Sequence, residues 1–247
     1  MPSYIFYTIL FTPVGRDAYR NEYVYCAMLW LTSLFRSGTV QLGDRVVIQT
    51  DADTAKRLRE ISVFRHSLVE LRICLQPRDV REGMNLKYLY RPESRDDQDA
   101  VVVYADTDQI FTRSFRPELP LDTVLVYPEG PPTDSNYAGD YDLSGAAAGF
   151  TAGLWAYRYG PRVQAFLDSV LHVCKTSPKR FYSLDQPHFN KALRISPVNR
   201  GYLPPQAISF NCHGDPKRAH ILNMAGDPGT DSFHFQKQLD AFLHFCL

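Results

Sequence analysis

The stretch Val101-Val102-Val103-Tyr104-Ala105-Asp106-Thr107-Asp108 decides how this chain is read. Val101 to Tyr104 is an apolar run without polar alternation, the mark of a strand covered on both faces of a parallel sheet. Two aspartates follow, one residue apart. On an extended backbone, residues i and i+2 point the same way, so the carboxylates of Asp106 and Asp108 can reach one cation. Mg2+ and Mn2+ take oxygen ligands and commonly bridge to phosphates. The structural alternative is that Asp106 caps a turn and Asp108 is solvated.

Working outward, apolar periodicity sets out alternating strands and helices. Upstream it predicts a strand over Tyr4 to Phe11, and a helix from about Arg20 to Ser37 that stops at Gly38. A second strand runs from Arg45 to Thr50, and a helix capped by Asp53 follows. Val69 to Leu75 alternates strictly as a third strand. A helix is expected around Met84 to Tyr90, and the charged run Arg91 to Asp99 reads as a loop.

Downstream, Val124 to Tyr127 and Phe150 to Arg158 read as strands. The stretch Gly130 to Gly145 reads as a loop and a candidate lid. Helices are expected from Pro161, over Asp185 to Leu193, and over Phe233 to Leu247, with a last strand over Ala219 to Met224. The alternation predicts an α/β fold with a mostly parallel central sheet flanked by helices, in one domain spanning 1–247. Ligands of such sheets bind at the carboxyl ends of the strands.

Composition excludes several classes. Lys plus Arg and Asp plus Glu both number 27, so no basic excess exists to neutralise a nucleic-acid backbone. Cys26, Cys74, Cys174, Cys212 and Cys246 are scattered and form no C-x-x-C pair, which argues against a zinc site or a disulfide framework. No apolar run is long enough for a transmembrane segment, and the first residues read as strand, not signal peptide. These features predict a cytoplasmic protein, in the host cytoplasm if viral. His66, His172, His234 and His244 lack partners at ligand spacing. There is no P-loop, G-x-G-x-x-G or G-x-S-x-G.

Six segments resemble those of glycosyltransferases with the GT-A fold and fall in the same order. The closest resemblance is to the family-eight type, which includes glycogenin and bacterial galactosyltransferases, and to related viral transferases. Tyr104-Ala105-Asp106-Thr107-Asp108-Gln109-Ile110-Phe111 resembles their D-x-D motif. Met84-Asn85-Leu86-Lys87-Tyr88-Leu89 resembles the helix that offers a basic residue, making Lys87 a candidate phosphate or sugar contact. Gly149-Phe150-Thr151-Ala152-Gly153-Leu154 resembles the segment lining the donor-sugar pocket, with Thr151 in place of the usual Asn. Leu184-Asp185-Gln186-Pro187-His188-Phe189-Asn190 resembles the Asp-Gln segment beside the reacting sugar.

In Ala219-His220-Ile221-Leu222-Asn223-Met224-Ala225-Gly226, register from Gly226 places Asn223 where the family has its third metal ligand, a histidine. His220 is the alternative. Thr8 to Thr12 resembles the first strand and turn that hold base and ribose, with Phe11, Thr12 and Tyr19 or Tyr23 as candidates. Asp51 is either a base or ribose acceptor or a helix-cap neighbour.

The resemblance implies a GT-A (nucleotide-diphospho-sugar transferase) fold and a transferase dependent on Mn2+ or Mg2+. Its donor would be a nucleotide sugar, UDP-linked. The hexosyl or pentosyl group would go to a hydroxyl of a glycan, glycoprotein or glycolipid. Asp106, Thr107 and Asp108 would sit at the donor, as would Thr151, Ala152 and Gly153. Asp185 and Gln186 would be the catalytic residues, with Asp140 or Asp142 as the alternative base. Two other classes compete. A sugar nucleotidyltransferase would carry a Gly-rich, basic loop after the first strand, and Thr12-Pro13-Val14-Gly15-Arg16 is too thin for one. A non-catalytic nucleotide-sugar-binding module would tolerate the departures at Thr151 and Asn223.

Overall fold

The computed structural model describes residues 3–130, 149–176, 185–210, 216–224 and 231–246. The strands are β1 (Tyr4–Leu10), β2 (Arg45–Thr50), β3 (Val69–Ile73), β4 (Val101–Ala105), β5 (Gln109–Phe111), β6 (Thr123–Gly130), β7 (Gly149–Arg158), β8 (Asn199–Tyr202), β9 (Ile208–Phe210) and β10 (Ile221–Asn223). The α-helices are α1 (Tyr23–Arg36), α2 (Ala52–Glu60), α3 (Val80–Asn85), α4 (Arg95–Asp99), α5 (Pro161–Thr176), α6 (Gln186–Ile195) and α7 (Asp231–Phe245).

Seven strands form the central sheet in the order β3-β2-β1-β4-β7-β6-β8. The pairs β3/β2, β2/β1, β1/β4 and β6/β8 are parallel, and β7 runs antiparallel to both neighbours. The fold is therefore α/β with a mostly parallel central sheet, as the alternating pattern predicts. A small second sheet follows the order β5-β10-β9.

β1 and β4 are buried along their whole length. Tyr4, Phe6, Val101 and Val103 face one core, shared with Trp30, Leu31 and Leu34 of α1. Ile5, Tyr7, Val102 and Tyr104 face the other, shared with Phe166 and Leu167 of α5 and Phe189 of α6. Apolar side chains on both faces, interrupted in β1 only by the buried Thr8, are what double-sided burial demands. Gly38, at φ 69°, ends α1 with the left-handed geometry that favours glycine.

Several expectations need correction. α1 starts at Tyr23, because Asp17 caps a separate 3-10 turn over Ala18–Arg20. The cap of α2 is Asp51, whose side chain accepts from Thr54 N; Asp53 lies in the first turn. β3 is an edge strand ending at Ile73: Val69 and Leu71 pack against the first core as the alternation predicts, but Ile73 is exposed and Leu75, beyond the strand, is 91% exposed. The Met84–Tyr90 helix is α3 followed by a 3-10 turn over Leu86–Tyr88. The charged run before β4 contains α4, started by Ser94 accepting from Asp97 N. β5, β8 and β9 are too short and too irregular in pattern to stand out. The proposed lid beyond Gly130, with Asp140 and Asp142, lies outside the described residues.

The sheet order locates a site. The chain moves outward from β1 through β2 to β3, then returns to place β4 on the other side of β1. Such a reversal opens a crevice at the carboxyl ends of the two central strands. Thr12 follows β1 at that edge, and Asp106 follows β4.

Candidate active site

The D-x-D turn lies where the chain leaves the large sheet at β4 and enters the small one at β5. β7, being antiparallel to β4, begins at this same edge. Val126 of β6 stands opposite Trp155 of β7, but Pro128 stands opposite Phe150, so two steps along β6 match five along β7. The surplus is a bulge over Thr151–Gly153. Bulges re-aim the backbone, and here its polar groups turn to the site. Gly153 O accepts from Asp106 N at 2.9 Å and from Gln109 Nε2 at 2.8 Å. Ala152 N donates to Gln186 Oε1 at 3.2 Å, and Gly153 N donates to Thr151 Oγ1 at 3.0 Å. Asn190 of α6 clamps the start of the segment, accepting from Phe150 N and donating to Phe150 O.

Lys87 is at the centre. Its side chain is 1% exposed, and its ammonium lies 2.9 Å from Asp185 Oδ2 and 3.4 Å from Asp106 Oδ1. Ala152 O, also at 3.4 Å, is a third acceptor. An ammonium has three protons, so these contacts use them all. Lys87 thus ties two carboxylates together. Burial pulls its pKa down, but the charges of Asp106 and Asp185 outweigh that and hold it above the ordinary value.

Two phenols complete the cluster. Tyr88 OH donates to Asp185 Oδ2, and Tyr104 OH donates to Asp106 Oδ1. Burial first, and the neighbouring carboxylate second, raise both phenols well above their usual range, so they remain donors. Tyr104 lies two residues before Asp106, near the end of β4, but Asp106 to Asp108 has left the strand for a turn in which Gln109 N donates to Asp106 O at 3.3 Å, so the extended i, i+2 geometry expected for the aspartate pair does not hold.

Asp108 Oδ1 is buried and has no hydrogen-bond partner among the described residues. Burial, then the charge of Asp106, pushes the Asp108 carboxyl up to about 7. An orphaned carboxylate oxygen beside a second carboxylate suits a hard cation. The charge count agrees: Asp106, Asp108 and Asp185 meet one ammonium, leaving two negative charges once all three are ionised.

Among the described residues, no group of three or more His, Cys, Asp or Glu could hold a metal. A cation here would take two carboxylates, the amide of Asn223 and ligand or water oxygens. Mg2+ is commonly held in this way, by one or two carboxylates and substrate phosphates.

The candidate third ligands separate clearly. Asn223 stands opposite Gln109 in the β10/β5 ladder, and Met224 N donates to Asp108 O at 3.0 Å. Asn223 thus lies at the D-x-D end of β10. His220 precedes it by three residues, about 10 Å along a strand, and its Nδ1 lies 2.7 Å from Ser114 O. The structure does not bring His220 to the aspartates.

At the end of β1, Asp51 is fully buried. It accepts from Thr12 N at 2.8 Å, Thr54 N at 2.9 Å and Thr54 Oγ1 at 2.7 Å. Of its two sequence readings, the structure displays the structural one: a cap that also fixes Thr12. Thr12 is buried, with its hydroxyl on Thr54 and Asn21. Phe11 covers Gly83, where a Cβ would meet its ring at 2.0 Å. Thr107 is buried, and its carbonyl accepts from Gln238 Nε2 of α7 at 2.7 Å. No sequence signal pairs these two, since 131 residues separate them.

No protein-family model matches the chain, and no curated protein matches it. No described helix is long and apolar enough to cross a membrane. Burial pushes Cys26 and Cys174 up to about 12 and Cys74 to about 11, which makes them poor nucleophiles.

Proposed function

We propose that the chain is a GT-A-type glycosyltransferase that uses a UDP-linked sugar and Mn2+ or Mg2+. One observation carries the reading: the aspartate pair stands at the β1/β4 switch point, tied through Lys87 to Asp185, with one buried carboxylate oxygen unpartnered. The order of segments along the chain supports it.

Asp106 and Asp108, with Asn223, would hold the cation. When bound, it would neutralise charge developing on the leaving diphosphate. The protein's own groups do the rest. Lys87 and Tyr104 fix Asp106, while Lys87 and Tyr88 fix Asp185. The two carboxylates therefore keep one spacing, and preorganisation of this kind avoids reorganisation during reaction. The described bonds to Asp185 go to Oδ2, which leaves Oδ1 for the sugar. There it places negative charge beside the carbon that gains oxocarbenium character. Gln186 holds the bulge through Ala152 N, and the bulge carries the backbone that would line the sugar.

The test is turnover of a panel of nucleotide sugars, with Mn2+ and without an acceptor, by wild type and Asp106→Asn. Slow Mn2+-dependent hydrolysis of one donor, lost in the variant, is expected. Hydrolysis of none by wild type, together with absence of nucleotide binding, would reject the reading.

A further inference from the structure

The D-x-D backbone is held by four hydrogen bonds among the described residues. Asp106 N donates to Gly153 O, Gln109 N to Asp106 O, and Met224 N to Asp108 O. The fourth runs from Gln238 Nε2 to Thr107 O at 2.7 Å. Three of these join backbone to backbone; the fourth is made by a side chain, from the C-terminal helix.

Gln238 is fully buried. Around it, Leu29 of α1, Ile110, Leu222, Met224, Ala241 and Phe242 form an apolar cluster. A primary amide in such a place costs free energy unless its groups are bonded. Its Nε2 also reaches Cys26 O at 3.2 Å, while its Oε1 has no partner among the described residues. Packing alone would be served as well by methionine or leucine. What the amide adds is a donor to the carbonyl of the residue between the two aspartates. Arg36 Nε also donates to Cys246 O at 3.0 Å, fastening the end of α7 to α1.

We propose that Gln238 is a positioning residue for the D-x-D carboxylates, so that the C-terminal helix α7 sets the cation affinity of the site. The role of the cation rests on the transferase reading above; the latch itself does not. With the latch absent, Thr107 O loses its bond from Gln238, the turn can rotate between its remaining anchors, and the placement of Asp106 and Asp108 relaxes. Outer groups that orient metal ligands typically contribute about 10- to 100-fold to affinity.

The test uses Gln238→Met, which keeps length and bulk and deletes the donor, with Gln238→Leu if the first fails to fold. MnCl2 is titrated calorimetrically into wild type and variant, and amide hydrogen exchange is followed across residues 101–111 and along α7. The expected result is Mn2+ affinity about 10-fold weaker or more. Exchange should quicken at Thr107 to Gln109 but not in β1, and thermal stability should change little. Unchanged Mn2+ affinity, with unchanged exchange at the turn, would overturn the proposal. Quickened exchange confined to α7 would also overturn it, by showing that Gln238 only packs the helix. If wild type binds no Mn2+, the cation reading fails, and quickened exchange at Thr107 to Gln109 still decides whether the latch exists.

Discussion

Gly153→Ala separates the site from the fold. A Cβ built at Gly153 would lie 2.7 Å from Asp106 Oδ2, with Gln109 Nε2 and Thr151 Oγ1 each at 3.4 Å. Ordinary contact begins at about 3.4 Å, so Asp106 Oδ2 must retreat by about 0.7 Å while Oδ1 is held by Lys87 and Tyr104. Both partners are buried, so the carboxylate can relieve the contact only by rotating about that held oxygen. A displacement near 1 Å in a reacting or ligating group costs on the order of 100-fold. We expect Mn2+ affinity or Mn2+-dependent turnover to fall about 10- to 100-fold.

Stability should fall by at most about 2.5 kcal/mol. Gly153 is not in the left-handed region, and alanine in a strand gains about 0.5–1 kcal/mol of backbone entropy, which offsets part of an overpacking cost of about 1–3 kcal/mol. Calorimetry with MnCl2 and urea denaturation, run on one preparation, read both. Full Mn2+ affinity in a folded Gly153→Ala protein would refute the placement of Asp106 against the bulge.

Further expectations follow from the same geometry. Lys87→Met leaves Asp106 and Asp185 without their shared ammonium, and breaking a buried pair this way costs about 3–5 kcal/mol; denaturant titration checks this, and a loss below about 1 kcal/mol would contradict it. Asp108 holds its proton more tightly folded than unfolded, so its contribution to stability is present below about pH 4 and is lost as pH rises to about 7. Asp108→Asn should therefore gain on wild type over that window and hold the gain above it, measured metal-free by thermal melts from pH 4 to 8.5. Wild-type Mn2+ affinity should rise with pH and level off above about 7, as the competing proton leaves. Asp51→Ala should lose about 1–2 kcal/mol, the range of a helix cap, and keep its Mn2+ affinity; normal stability with lost affinity would reverse that assignment.

The fold was legible where side chains report burial on their own. Val101 to Tyr104 reads as a strand covered on both faces and is one, whereas the turn over Asp106 to Asp108 that follows it left no mark in the apolar pattern. Lys87 and Asp185 were selected by the order of segments, yet their direct contact was hidden, because a pair 98 positions apart leaves no local pattern. Lys87, a candidate phosphate or sugar contact by its segment, has its protons on Asp106, Asp185 and Ala152, contacts that no spacing announces. Asp51 and Asp53 are equally good caps by residue type, and the turn geometry chose Asp51. The bulge at Thr151–Gly153 was invisible, since it exists only as a mismatch with β6. Gln238 reads as a surface position of an amphipathic helix, and its burial depends on where α7 docks.

The central claim is tested most directly by titrating UDP, alongside GDP, into wild type and Asp108→Ala, with and without Mn2+. The account predicts that UDP binds wild type only with Mn2+ and that Asp108→Ala loses this binding while remaining folded. Binding of no nucleotide under any metal condition, or equal binding by the variant, would contradict it and leave Asp106 and Asp108 as a turn at the end of a buried strand.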